Sequence, residues 1–127
     1  MAVIAVVAAT LLGVISLFQI ALAAGAPWGA ASWGGRHPGR LPTGYRIGSA
    51  VAGLLFYPVV AWVVLGAAGL LGDDAVGSGG AAGLWVFAGL FGLSTVVNLI
   101  SPSKVERIWA PVALVLTACF AVLAISL

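Results

Sequence analysis

The stretch from Gly25 to Arg46, GAPWGAASWGGRHPGRLPTGYR, is the one long polar-tolerant segment in an otherwise almost wholly apolar chain. It contains six glycines, three prolines, two tryptophans, the only histidine and three of the five basic residues. Glycine and proline both interrupt regular helices, so we predict a loop here. At 22 residues, this first loop greatly exceeds the roughly two to eight residues that usually join packed helices.

The composition on either side of this loop is that of a membrane protein. Of the 127 residues, 63% are hydrophobic and only 6% are charged, and the mean hydropathy is +1.24. A soluble domain carries about 25% charged residues, so this chain lacks the charge to cover a surface that faces water. We therefore predict a single integral membrane domain over residues 1–127. The net charge of +2 is too small to indicate a nucleic-acid partner.

Four apolar runs are long enough to cross a hydrocarbon core, which needs about 20 helical residues. We predict an all-α bundle of four transmembrane helices, with spans at about residues 2–24, 47–71, 81–100 and 108–127. The first run has no basic residues before it and is longer than the apolar part of a signal peptide. We therefore expect a retained helix rather than a cleaved leader.

The basic residues predict the orientation of the bundle. Arg36, Arg40 and Arg46 lie in the first loop, Lys104 and Arg107 lie in the third, and the second loop has none. Short loops rich in lysine and arginine stay in the cytoplasm. We therefore predict that the first and third loops are cytoplasmic and that both termini are extracytoplasmic.

Neither the acidic second loop nor the single cysteine indicates a metal site or a cofactor. Asp73 and Asp74 are adjacent, but no further carboxylate or histidine follows nearby, so we predict an exposed acidic loop. Cys119 lies within an apolar run and has no second cysteine to pair with. We predict neither a bound metal nor a cofactor.

The third loop contains a helix-start pattern, because Ser103 and Glu106 have the S-x-x-E spacing of a capping box. In that motif each side chain reaches the backbone N–H of the other residue. We therefore favour a structural role for Glu106 over catalysis or proton coupling.

A polar stripe runs along the end of the third span. Ser94, Asn98 and Ser101 follow a spacing of four and then three residues, which places them on one helix face. A buried asparagine must find a partner, and we predict a hydrogen bond between helices for Asn98. Gln19 falls near the cytoplasmic end of the first span, so we expect a common polar cluster with Asn98.

Two interpretations of the first loop remain open. In the one we favour, Trp28 and Trp33 anchor at the membrane interface and the loop forms a compact cap. In the other, the loop re-enters the bundle mouth, and the turn at residues 33–37 presents backbone N–H groups, a guanidinium and an imidazole to an anionic headgroup or ligand. The candidate contact residues for such a site are Trp33, Arg36, His37, Arg40, Asn98 and Glu106.

Two runs of the sequence, GAPWGAASWGGRHPGRLPTGYRIGS and NLISPSKVERIWAPV, resemble a family of small, uncharacterised four-helix bacterial membrane proteins. The likeness covers about a third of the chain. It implies a four-span fold and a location in the bacterial inner membrane. It implies no activity and transfers no catalytic residue.

Three classes of function remain. We expect a non-enzymatic binding, assembly or accessory protein whose cytoplasmic loops contact a partner or anionic lipid, since no acidic or basic residue lies within the predicted spans. The alternative is a small oligomeric transporter or channel lined by the polar stripe. Least expected is an enzyme acting on lipid-linked substrates through His37 and Glu106. The predicted partners are the lipid bilayer and a second copy of the chain or another membrane protein.

Overall fold

The structure is a computed structural model that describes residues 1–72 and 76–127. Within these ranges the chain is helical and has no strand. Four helices are long and apolar enough to cross a membrane: α1 (Ala2–Ala24), α2 (Thr43–Ala67), α3 (Gly80–Leu99) and α4 (Glu106–Ser126). The predicted all-α fold with four long apolar helices is confirmed, and it suggests a multi-pass membrane protein. The predictions for Asp73 and Asp74 concern residues outside the described ranges.

The second helix differs most from its predicted span, since it begins and ends four residues earlier than the expected 47–71. Pro42 directly precedes it with φ −59° and ψ 156°, and the helix starts at the next residue. The polar residues after Pro42 therefore form its first turns instead of belonging to the loop. At the other end Gly69 has φ 77°, and its N–H donates to the Gly66 carbonyl. A left-handed glycine of this kind commonly ends a helix.

Pro58 is accommodated within α2 by a local change of helix type. The residues Ala52–Phe56 form a π-helical turn, and the N–H of Tyr57 donates to the carbonyl of Ala52, five residues earlier. Proline has no N–H and clashes with the carbonyl four residues before it, so an undisturbed α-helix is excluded here. A π turn is one of the recognised ways in which a helix absorbs such a disruption.

The four helices form a closed bundle. Neighbouring helices are in contact, α1 with α2, α2 with α3, α3 with α4, and α4 with α1, and α2 also contacts α4 across the bundle. Fully buried side chains from every helix meet in the centre, among them Leu12, Val64, Leu84 and Phe120. Most other apolar side chains are exposed on the outside of the bundle, as expected for helices that face lipid.

The closest approach of α1 and α2 depends on Gly53. A Cβ atom at this position would lie 2.8 Å from the Ser16 carbonyl oxygen and 2.9 Å from a side-chain carbon of Ile20. Only glycine leaves room for this contact. The crossing follows the general pattern in which small residues allow membrane helices to approach closely.

The first loop folds back on itself between α1 and α2. It contains two short 3₁₀ turns, Gly29–Ala31 and Trp33–Gly35, and the Gly29 N–H donates to the Gly39 carbonyl at 2.8 Å. A Cβ atom on Gly29 would lie 1.9 Å from the carbonyl oxygen of His37, so this position requires glycine. The loop therefore covers one end of the bundle as a compact unit, which we call the cap (residues 25–42).

Candidate ligand cavity

A cavity of about 170 Å³ lies beneath the cap, at the end of the bundle where α1 ends and α4 begins. All four helices and the cap contribute to its wall. The lining residues are Ile15, Phe18, Gln19, Ala31, Ser32, Trp33, Tyr57, Phe91, Ser94, Asn98, Glu106, Trp109 and Ala113. Thus Trp33, Asn98 and Glu106, which the sequence singled out, are brought together in one place.

Glu106 is the acidic group of this cavity. It begins α4, its residue surface is only 5% exposed, and its Oε2 accepts a hydrogen bond of 2.7 Å from the backbone N–H of Gly34. No ion pair involving this carboxylate is present in the described part of the chain. Glu106 is therefore a buried acid that connects the fourth helix to the cap.

The capping box predicted for Ser103 and Glu106 is only half correct. The Glu106 N–H donates to Ser103 Oγ at 3.3 Å, as the motif requires. The Ser103 N–H, however, donates to Ser101 Oγ at 3.2 Å. The Glu106 side chain does not turn back to Ser103 because its carboxylate is directed to Gly34 in the cap.

The turn that receives this carboxylate has an unusual backbone. Trp33, Gly34 and Gly35 have φ values of 53°, 76° and 70°, all in the left-handed region. Such a conformation is open to glycine but costs a non-glycine residue about 1–3 kcal/mol. In the less favoured interpretation of the sequence, this turn would present N–H groups to an external anion. In the structure one of those groups, the N–H of Gly34, is bound by the protein's own Glu106.

Further contacts join the cap to the third loop and to α4. Ser103 Oγ donates to the Ala30 carbonyl, and Trp109 Nε1 donates to the Ala31 carbonyl at 2.9 Å. The backbone of Gly35 packs so closely on Ser103 that a Cβ atom would lie 2.4 Å from the serine Cβ. The cap and the third loop therefore form one packed unit over the cavity.

The two indole rings of the cavity wall have their N–H groups bound by protein. Trp109 donates to the cap as described, and Trp33 Nε1 donates to Ser49 Oγ on α2 at 3.0 Å. The Trp33 ring also meets Tyr45 edge-on at 5.4 Å between ring centroids and packs against Gly48. Both rings are thereby fixed in place, and neither indole N–H is available to a ligand.

Two amide side chains line the wall, Asn98 and Gln19, and they differ in whether the protein supplies their hydrogen bonds. Asn98 Nδ2 donates to both the carbonyl and the Oγ of Ser94, at 2.8 and 3.1 Å. The predicted hydrogen bond between helices is therefore wrong for Asn98, because a partner one turn earlier on its own helix satisfies it. The buried Oε1 of Gln19 has no hydrogen-bond donor among the described residues. Gln19 and Asn98 line the same cavity, in agreement with the expected polar cluster.

Aromatic side chains form much of the remaining wall, a feature that the sequence patterns did not predict. They are contributed by α1, α2, α3, α4 and the cap: Phe18, Tyr57, Phe91, Trp109 and Trp33. Phe18 and Trp109 are in contact, with ring centroids 4.9 Å apart, and Tyr57 and Phe91 are 6.2 Å apart. Tyr57 lies between the π turn and Pro58. The proline next to it was the one feature of the sequence that pointed to this position.

The basic candidate residues lie elsewhere. Arg36 and Arg40 are exposed on the cap, and the ring of His37 packs on Tyr45 with 4.6 Å between centroids. None of these three side chains lines the cavity. The acid–base pair considered for Glu106 and His37 therefore has only its acid in the cavity wall.

No protein-family model matches this chain, and neither a curated protein nor a solved structure matches it.

Proposed function

We propose that this chain is a multi-pass protein of the bacterial cytoplasmic membrane that binds a small polar ligand in the cavity beneath the cap. It is a binding or accessory protein rather than an enzyme. In this proposal the cap and the third loop face the cytoplasm and both termini face outward. The observation that carries the proposal is the buried carboxylate of Glu106 in the cavity wall.

A purely structural role does not require a carboxylate at this position. A neutral amide or hydroxyl oxygen also accepts a hydrogen bond from a backbone N–H, and it avoids the high cost of burying a charge. Glu106 makes one hydrogen bond to Gly34, and no described cation neutralises it. A ligand that enters the cavity would supply the missing partner, so the residue type is best explained by binding.

The proposed orientation gives the exposed arginines a separate role. Arg36 and Arg40 lie on the outer side of the cap, away from the cavity wall. On the cytoplasmic face they would meet anionic headgroups, which attract basic residues by about 1 kcal/mol each. This contact would hold the cap at the membrane surface while the cavity binds its ligand.

Access to the cavity is tested by placing a thiol in its wall. Ser94→Cys in a Cys119→Ala background is treated with a small methanethiosulfonate reagent in detergent. Thr95→Cys is the matched control, because Thr95 is buried on the same helix but does not line the cavity. We expect the Ser94→Cys variant to react at least about tenfold faster than the control, since exposure governs thiol reactivity. Equal, slow labelling of both variants would contradict a ligand-accessible cavity.

A further inference from the structure

We infer that the ligand of this cavity is a small organic ammonium ion, of the class that includes choline and other trimethylammonium compounds. This inference rests on the proposed function, because it names the chemical class of the ligand that the cavity takes. Three properties of the wall support it: its charge, its aromatic content and its size.

The first property is the charge of the wall. Glu106 is the only acidic side chain among the lining residues, and no lysine, arginine or histidine lines the described cavity. The indole N–H groups and the Gly34 N–H are already bound by protein, so an anion would find only neutral hydroxyl and amide donors and no cationic side chain. The buried Oε1 of Gln19 adds an acceptor that lacks a donor among the described residues. An anionic ligand is therefore disfavoured, and a cation complements the site.

The second property is the aromatic content. Five rings line the wall. The face of an aromatic ring attracts a cation that lies within about 6 Å of the ring centroid, and aromatic cages of this type recognise quaternary ammonium groups. A hydrated metal ion would prefer a wall of oxygen ligands. The combination of several rings with one carboxylate thus selects an organic cation.

The third property is the size. An engineered cavity of roughly 150 Å³ holds benzene, and the present cavity measures about 170 Å³. Choline, with about seven non-hydrogen atoms, is of comparable size to that guest. A nucleotide does not fit within the same volume.

The test is calorimetric titration of the purified protein with choline and with 3,3-dimethyl-1-butanol, in which a carbon atom replaces the charged nitrogen. We expect choline to bind at least about tenfold more tightly, because a desolvated cation–π contact alone contributes about that factor. Equal affinity for the two compounds, or binding of neither, would overturn the inference.

Two substitutions test the groups that we hold responsible. Glu106→Gln keeps an acceptor for the Gly34 N–H but removes the charge, and Phe18→Leu keeps apolar volume but removes a ring. Each should weaken choline binding by roughly fivefold or more, whereas Phe87→Leu, which changes a ring outside the cavity, should not. Unchanged affinity in both lining variants would place the choline site elsewhere and overturn the inference.

Titration in two lipids separates the sources of the ammonium group. In phosphatidylglycerol nanodiscs only free choline is present, whereas phosphatidylcholine nanodiscs also supply headgroups. Weaker apparent binding in phosphatidylcholine would support a lipid headgroup as the ligand, and equal binding would support a free solute.

If the Ser94→Cys variant labels rapidly but choline does not bind, the ligand class is wrong and the proposed cavity stands. If that variant does not label, the proposed function itself fails.

Discussion

The backbone N–H of Gly34 donates a 2.7 Å hydrogen bond to Oε2 of Glu106, 72 positions later in the chain. This contact joins the cap to the first turn of α4 and places a carboxylate in the wall of the cavity. Glu106 therefore has two roles in this account: it holds the cap in place, and it gives the cavity its negative charge. Substitutions at this position separate the two roles.

Replacing Glu106 by alanine should destabilise the protein more than replacing it by glutamine. Alanine removes the acceptor of the Gly34 N–H, and a hydrogen bond to a charged group contributes about 1.5–3 kcal/mol. Glutamine retains an acceptor oxygen. We expect the melting temperature in detergent to fall for Glu106→Ala and to change by less than half as much for Glu106→Gln. Equal losses in the two variants would show that the charge, rather than the hydrogen bond, holds the cap.

The packing of the cap on the third loop is tested at Gly35. Both Gly35 and Gly39 have positive φ, so alanine is strained at either position. Only at Gly35 does the added Cβ also collide with Ser103, whereas nothing lies within 4 Å at Gly39. Gly35→Ala should therefore lower the free energy of unfolding by about 1–3 kcal/mol more than Gly39→Ala does. Similar losses, measured by denaturant titration, would mean that the two loops are not packed together.

The crossing of α1 and α2 is tested at Gly53. Alanine there would place a methyl group 2.8 Å from the Ser16 carbonyl oxygen. Because overpacking of this kind destabilises a protein, we expect the free energy of unfolding to fall by about 1–3 kcal/mol. Gly89 on α3 is the control, since its Cβ would meet open space. There the better helix propensity of alanine should leave stability unchanged or raise it by up to about 1 kcal/mol. A Gly53→Ala variant as stable as Gly89→Ala would refute the close crossing.

The proposed orientation is tested by labelling in intact cells. In the Cys119→Ala background, Ser78→Cys marks the second loop and Thr43→Cys marks the exposed start of α2 beside the cap. An impermeant maleimide should label the Ser78→Cys protein in intact cells, and the Thr43→Cys protein only after permeabilisation. The reverse pattern would invert the topology and place the cavity on the outer side.

The fold followed from the sequence because few physical effects determine it. Apolar runs of about 20 residues predict spans, and the cluster of glycine and proline in residues 25–46 predicts a break between two of them. The helix limits were less accurate where polar residues continue a helix, as after Pro42, where residues that resemble a loop form the first turns of α2.

The candidate site was only partly predictable. The sequence brought Glu106 and Asn98 to the same end of the bundle as Trp33, and the structure places all three around one cavity. The local capping pattern at Ser103 hid the contact that matters most, because a hydrogen bond across 72 positions leaves no local signal. The rings of Phe18 and Phe91 were also not recognised, since an aromatic residue in an apolar helix looks the same whether it faces lipid or a cavity.

The most direct test of the account is to locate a ligand in crystals of the protein. Arsenocholine has the shape and charge of choline and carries an arsenic atom that scatters anomalously. The account predicts one anomalous peak in the cavity, bordered by Glu106, Phe18 and Trp109, that is weaker in crystals of Glu106→Gln soaked at the same subsaturating concentration. A peak elsewhere on the protein, or a cavity that stays empty in crystals saturated with arsenocholine, would contradict it.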